Sequence, residues 1–274
     1  MQSINALSLT PDGNQWLANS RHPRILHVFD RACNLINERR EVLSIVTPQI
    51  GNGPFTLVVE EDILFSNHLH DGSPVFIHAD QVHLGDLIIN ISGAKLWSPR
   101  PNWEKLHAHR DPILHQLIQL SVMNYQPSLP TSLLSTFSTS IATADFPSSL
   151  ATAHKLSGLG IGLTPAGDDF ILGAVLAAWI IHPTEVAGVL AKEVTSIAVP
   201  LTTSLSAAWL RSAGRGEAGI LWHHFFNALM AVDPLQLQNS LCKILVVGET
   251  SGADAIAGFL GTVMSWVAST SKAP

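Results

Sequence analysis

The sequence predicts an α+β protein, with a β-rich N-terminal domain over residues 1–100 and a mainly helical domain over residues 101–274. Two observations carry that expectation. The first hundred residues hold short apolar or alternating runs divided by turn residues, whereas from Ala151 onward apolar residues recur at helical spacing. A proline-marked step, Ser98-Pro99-Arg100-Pro101, separates the two regimes.

In chain order, Val42–Val46, Phe55–Val59, Ile63–Phe65, Val75–His78 and Leu87–Ile91 read as strands of a small mixed or mainly antiparallel sheet. Gly51-Asn52-Gly53-Pro54 and Asp71-Gly72-Ser73-Pro74 supply turns between them. Ile25 to Glu38 reads as the one helix of this region, because Leu26, Phe29, Ala32, Cys33 and Ile36 fall at helical spacing. Trp103 to Tyr125 is helical in period, and Gln126 to Ser149, rich in Ser, Thr and Pro, reads as a loop or linker. Six helices are then expected, over Phe170–Ile181, Glu185–Ile197, Thr202–Arg211, Ala218–Met230, Pro234–Val246 and Ala253–Ala268.

Composition narrows the function classes. Net charge is −6 with no basic run, which argues against nucleic-acid binding. Charged residues make up only 13% of the 274-residue chain, so part of the surface is expected to be covered by a partner or by further copies in a homo-oligomer. The longest apolar run, Phe170 to Ile181, is too short to span a bilayer, and no basic-then-apolar leader opens the chain. Two distant cysteines, Cys33 and Cys242, make no disulfide framework, and a cytoplasmic location is expected.

The densest chemical signal runs from Ser157 to Phe170, as Ser-Gly-Leu-Gly-Ile-Gly-Leu-Thr-Pro-Ala-Gly-Asp-Asp-Phe. Gly158, Gly160 and Gly162 let backbone approach a ligand closely. Thr164 is expected to cap a helix with Pro165 at its first position, which places Asp168 and Asp169 near the first turn. Two uses of this junction compete. N–H groups at a helix start attract an anion, while paired carboxylates suit a magnesium ion or an amide, ammonium or hydroxyl donor. No Gly-Lys-Ser/Thr follows, so it is not a P-loop.

A second junction, Gly248 to Asp254, opens the last helix with a similar order of Thr250, Ser251, Gly252 and Asp254. Gly173 and Gly258 each stand four residues after an aspartate and are assigned to close helix–helix approach. The hydroxyls at Thr202, Thr203, Ser204 and Ser206 are expected to cap a helix or grip a polar substrate, and Arg211 or Arg215 to pair with a carboxylate or phosphate. His68 with His70, expected on one strand face, and His107 with His109 have no third ligand at a known metal spacing. No Gly-x-Ser-x-Gly elbow occurs.

The run from Gly158 to Phe170 resembles the hallmark of the AllH-like family, which includes a subunit of oxamate carbamoyltransferase. Phe29–Leu35, Gly53–Leu57, Thr202–Glu217 and Gly248–Gly258 resemble it too, although Leu26 and His27 stand where a His-Ser pair is usual. The resemblance implies carbamoyl transfer to or from a small acid, with carbamoyl phosphate or a small carboxylic amide as substrate and other enzyme subunits as partners. On that reading Asp168, Asp169 and Asp254 are the catalytic candidates, the first two with a possible magnesium ion. Gly160, Gly162, Thr164, Gly167, Thr203, Arg211, Thr250, Ser251, Gly252 and Asn34 are the substrate-binding candidates. A non-catalytic scaffold subunit and a metal-dependent hydrolase or lyase remain open beside it.

Overall fold

A computed structural model describes residues 1–120, 129 and 131–271. The chain divides into two compact units, Met1–Pro99 and Arg100–Pro274, each described here by itself.

The first unit is a barrel-like mixed sheet. Its strands are β1 (Gln2–Leu9), β2 (Arg24–Val28), β3 (Ala32–Ile36), β4 (Val42–Val46), β5 (Thr56–Val59), β6 (Val75–His78), β7 (Gln81–Leu84), β8 (Leu87–Asn90) and β9 (Lys95–Leu96), with helix α1 (Pro11–Asn19) after β1. They lie in the order β2-β3-β4-β5-β1-β8-β7-β6, and β9 also pairs with β1. A register shift between Ala6 and Ser8 lets the start of β1 run parallel to β8 while its end pairs with β5 and β9. Both halves of the sheet therefore close on one core, with Ile4, Leu35, Leu43, Leu57, Leu84 and Ile89 inside it. The Thr10 side chain accepts from Gly13 N and Pro11 occupies a first-turn position, so α1 starts there and buries Trp16 and Leu17.

Two expectations fail in this unit. Ile25 to Glu38 is the hairpin β2–β3, not a helix. Ile25, Cys33 and Leu35 enter the core while β3 pairs with both β2 and β4, so strand pairing prevailed over an incidental helical spacing. Phe29, one of the residues that suggested the helix, is 44% exposed at the turn. Ile63–Phe65 is not a strand either, because Phe65 begins a short 3-10 turn to Asn67 and its N–H bonds Asp30 O at 2.8 Å. His68 therefore lies at the end of that turn and not on a strand face with His70.

Among the described residues the second unit is mainly helical: α2 (Trp103–Ala108), α3 (Arg110–Leu120), α4 (Thr131–Ala142), α5 (Phe146–Leu156), α6 (Ala166–Ile181), α7 (Thr184–Ala198), α8 (Ser204–Gly214), α9 (Ile220–Ala231), α10 (Pro234–Leu245) and α11 (Ser251–Thr270). The expected helix from Trp103 breaks at His109, and its end lies outside the described residues. The expected linker over Gln126–Ser149 instead holds α4 and the start of α5, joined by a tight turn at Thr143–Asp145. Leu134, Phe137 and Ile141 give α4 a buried stripe, while Thr136 and Thr143 return their hydroxyls to the carbonyls four residues back. Hydroxyl-rich composition thus masked an amphipathic helix.

α4–α5–α6 and α9–α10–α11 carry the same order of local features, one copy each of a three-helix pattern, although α4 packs against both α6 and α11 and α9 against neither so closely. Ala144 and Val232, at equivalent positions after α4 and α9, both adopt the left-handed conformation, with φ of 52° and 53°. Each is followed by an aspartate, Asp145 or Asp233, whose side chain caps the next helix. Past that helix, Gly167 N bonds Leu159 O at 2.9 Å and Gly252 N bonds Val247 O at 3.0 Å. A Cβ on Gly167 would overlap the Leu156 carbonyl, and one on Gly252 the Ile244 carbonyl. The copies then pack on each other through α6 and α11. A Cβ at Gly173 would overlap Ala255 O, and one at Gly258 would overlap Phe170 O. Two glycines in equivalent places thus let two buried helices cross backbone to backbone.

Candidate functional site

The crossing of α6 and α11 brings their N-terminal turns together. In both helices the second residue is glycine (Gly167, Gly252), the fourth is aspartate (Asp169, Asp254) and the eighth is glycine (Gly173, Gly258). Asp169 and Asp254 are 8% and 1% exposed. A hydroxyl pair ties the two starts together, with Thr164 Oγ1 and Ser251 Oγ 2.8 Å apart. Thr164, Asp169, Ser251 and Asp254 therefore form one polar group drawn from both copies.

Asp169 carries the electrostatic anomaly of this group. Burial pushes its carboxyl up to about 8, reinforced by the Asp254 and Asp168 charges and opposed by hydrogen bonds from Ser251 and Thr164. The carboxyl accordingly favours its protonated form well above the usual carboxylate range. Its Oδ2 is buried and has no hydrogen-bond partner. A further polar group reaching that oxygen would satisfy it.

Asp168, one residue away, has the opposite character. Oδ1 accepts from Gly158 N at 2.9 Å, and Oδ2 accepts from Ser206 Oγ at 2.8 Å and from Thr202 Oγ1. Burial raises this carboxyl too, against the pull of the three hydrogen bonds. Its geometry is that of a clamp joining the glycine loop to the start of α8. Thr203 adds a second tie: its Oγ1 donates to Leu163 O at 2.6 Å and also accepts from Ser206 N as the cap of α8. The hydroxyl run thus caps α8 through Thr203 and otherwise bonds the chain itself, at Asp168 and Leu163.

Between these ties the loop arches outward. Gly160 and Gly162 have φ of 121° and 96°, which side-chain-bearing residues rarely adopt, and a Cβ on Gly160 would lie 2.7 Å from Ala166 N. Leu159, Ile161 and Leu163 point to solvent, with Ile161 95% exposed. The cap differs from expectation: Pro165 is itself the N-cap of α6, and Thr164 turns its hydroxyl to Ser251. With its φ fixed by the ring, Pro165 sets the helix entry without any side-chain cap.

The remaining candidates are spread out. Gly167 and Gly252 act through close packing, and their N–H groups already bond Leu159 O and Val247 O. Thr250 is the exposed N-cap residue of α11, without a side-chain cap bond. Arg211 is exposed in the last turn of α8, while Arg215 forms a two-point pair with Glu217, at 2.7 and 3.1 Å. Asn34 belongs to the first unit, where its Oδ1 accepts from Ser44 Oγ at 2.6 Å. Its register there continues through His27, Ser44 and Thr56, a polar row across four strands that no sequence motif announces. Among the described residues no three His, Cys, Asp or Glu side chains are grouped as a metal ion would need.

Comparison with protein families matches residues 156–263 to the family described as oxamate carbamoyltransferase subunit AllH, and residues 5–96 to the AllH family N-terminal domain. The chain belongs to the AllH family. The first of the two matches spans the glycine arch, both helix starts and the clamp on α8 of this AllH-family chain. No solved structure matches the chain. Among the described residues no helix is long and apolar enough to cross a membrane.

Proposed function

We propose that this chain is a subunit of an oxamate-type carbamoyltransferase and that it holds substrate at the α6–α11 junction. The observation that carries the reading is the buried Asp169 Oδ2, without a partner, between two helix starts that share glycine, aspartate and glycine at their second, fourth and eighth residues. In the transfer, the amide nitrogen of oxamate bonds to the carbamoyl carbon of carbamoyl phosphate. The bond from that carbon to the phosphate oxygen breaks, phosphate leaves with the electron pair, and the nitrogen sheds one proton. Nothing in that exchange requires a covalent enzyme intermediate, so positioning and charge stabilisation are the protein's contribution.

The roles divide by location. Thr164, Ser251 and Asp169 face the substrate, with the Asp254 charge behind them. The Gly160–Gly162 arch offers backbone to an anionic end, and its exposed Leu159, Ile161 and Leu163 are assigned to contact with another subunit. Asp168 holds the arch in place, and with both oxygens engaged by Gly158, Thr202 and Ser206 it has little left to offer a magnesium ion.

Calorimetric titration of the full chain with oxamate and with carbamoyl phosphate tests the reading. Saturable binding is expected, weakened roughly 3- to 10-fold by Ser251→Ala through loss of one neutral hydrogen bond. Absence of heat from the folded protein with either compound would overturn it.

A further inference from the structure

We propose that Asp169 is the specificity residue of this site and recognises a primary carboxamide, its carboxyl group closing a two-hydrogen-bond ring with the amide C=O and N–H. The proposal rests on placing the substrate at the α6–α11 junction.

The geometry supplies half of such a ring. The Asp169 side chain is 8% exposed, and its Oδ2 lies buried between the two helix starts without a partner. As a bare carboxylate oxygen it would suffer the full desolvation penalty of an unsatisfied buried charge. As a hydroxyl it is a donor that lacks only an acceptor. The buried Asp254 carboxyl, at the equivalent position of the second copy, disfavours a second negative charge beside it. Ser251 and Thr164 engage the carboxyl from the half-buried rim, so Oδ2 is the atom left to meet a ligand.

Chemistry then selects the ligand. A protonated carboxyl presents one donor and one acceptor side by side, and a primary amide presents the complementary acceptor and donor at the same spacing. A carboxylate presents acceptors only, and an ammonium group donors only. A site built in this way rejects the analogue that lacks the matching group, because its own buried polar atoms are then left unpaired. A small acid ending in –C(=O)NH2 is therefore preferred over the corresponding diacid. Asparagine in place of Asp169 would preserve the pairing, since it carries the same donor and acceptor without an ionisable proton.

The test is calorimetric titration of the full-length chain and its Asp169→Asn and Asp169→Leu variants with oxamate, carbamoyl phosphate, malonamate, oxalate and N,N-dimethyloxamate. For wild type, oxamate is expected to bind roughly 10- to 100-fold more tightly than oxalate or the dimethyl amide. Asp169→Asn is expected to stay within about threefold of wild type, while Asp169→Leu loses roughly 10- to 100-fold. If oxamate binds but Asp169→Asn fails as badly as Asp169→Leu, the carboxamide assignment is wrong and the carbamoyl-transfer reading stands. Should malonamate bind in an Asp169-dependent way while oxamate and carbamoyl phosphate do not, the reaction is misassigned and the carboxamide site survives. If Asp169→Leu does not fold, the ligand comparison on wild type decides alone, and equal affinity for oxamate and oxalate overturns the proposal. No binding of any primary amide by folded wild type overturns it as well.

Discussion

The two copies of the three-helix module differ most where they ought to be most alike, at the starts of α6 and α11. Their common features are architectural. Glycine at the second helical residue lets the chain pass the carbonyl of the preceding helix, and glycine at the eighth lets the two helices cross. Aspartate at the fourth position is shared as well. The differences are confined to what precedes and surrounds that frame. The α5–α6 connection, residues 157–165, is a long arch with alternating glycines, whereas the α10–α11 connection, residues 246–250, is short. The third helical residue is Asp168 in one copy and Ala253 in the other. The shared glycines are therefore needed to bury two helices against each other, whereas the arch and its Asp168 clamp belong to one copy alone.

Breaking the shared frame should have the largest effect. Gly173→Ala and Gly258→Ala each drive a methyl group into a backbone carbonyl of the opposing helix, which cannot move without displacing that helix. Each is expected to destabilise the protein by about 3 kcal/mol or more in denaturant unfolding, and by similar amounts because the two sites are equivalent. Gly188→Ala in α7, whose added methyl meets only the Trp179 ring at 3.3 Å, should stay within about 1 kcal/mol of wild type. A large loss at Gly173 with none at Gly258 would show that the two copies do not bear on each other as equals.

The next effect sharpens the comparison electrostatically. The folded Asp169 carboxyl sits near 8, above its ordinary value of 3.8, so between those values the native state binds a proton that the unfolded chain has released. The contribution of this group to stability is then highest below about pH 4, falls as pH rises through the interval, and levels off above about pH 8. The burial of Asp169 and the nearby Asp254 and Asp168 charges drive this trend, and Ser251 and Thr164 moderate it. Asp169→Asn removes the titration, so its stability relative to wild type should improve by a few kcal/mol between pH 5 and pH 9. Parallel unfolding curves for the two proteins across that range would show that the proton is not held there.

Much of this frame was legible in the sequence. The change from turn-punctuated runs to helical spacing gave the order of the β-rich and helical parts, and the small residues four positions after Asp169 and Asp254 marked the helix crossing. The full duplication was not legible, because the arch makes one connection longer and shifts Thr164 and Thr250 out of step with their aspartates. The hairpin at Ile25–Glu38 was misread since its apolar residues satisfy both periods, and only the pairing of Cys33 and Leu35 with neighbouring strands decides between them. Nor can sequence separate Asp168 from Asp169. Neighbours on a helix point roughly 100° apart and meet different partners, and those partners, Thr202 and Ser206 for one and Ser251 and Asp254 for the other, come from distant parts of the chain.

That separation makes Asp168 the most direct test of what distinguishes the copies. Asp168→Ala removes the acceptor of Gly158 N, Thr202 Oγ1 and Ser206 Oγ together and gives α6 the residue that α11 already has at this position. The two hydroxyls can rotate toward other acceptors, so the loss should be about 2 kcal/mol, smaller than at the glycine crossing. The arch stays tied at Leu163 through Thr203, so the helices should keep their packing while residues 158–162 loosen. Hydrogen exchange reads this directly, with faster exchange at Gly158 and the arch and little change in the interior of α6. If Asp168 served only as a generic core polar group, protection would fall evenly across α6 and α8; if it holds the arch, the change stays local, and on the proposed reading ligand affinity falls with it.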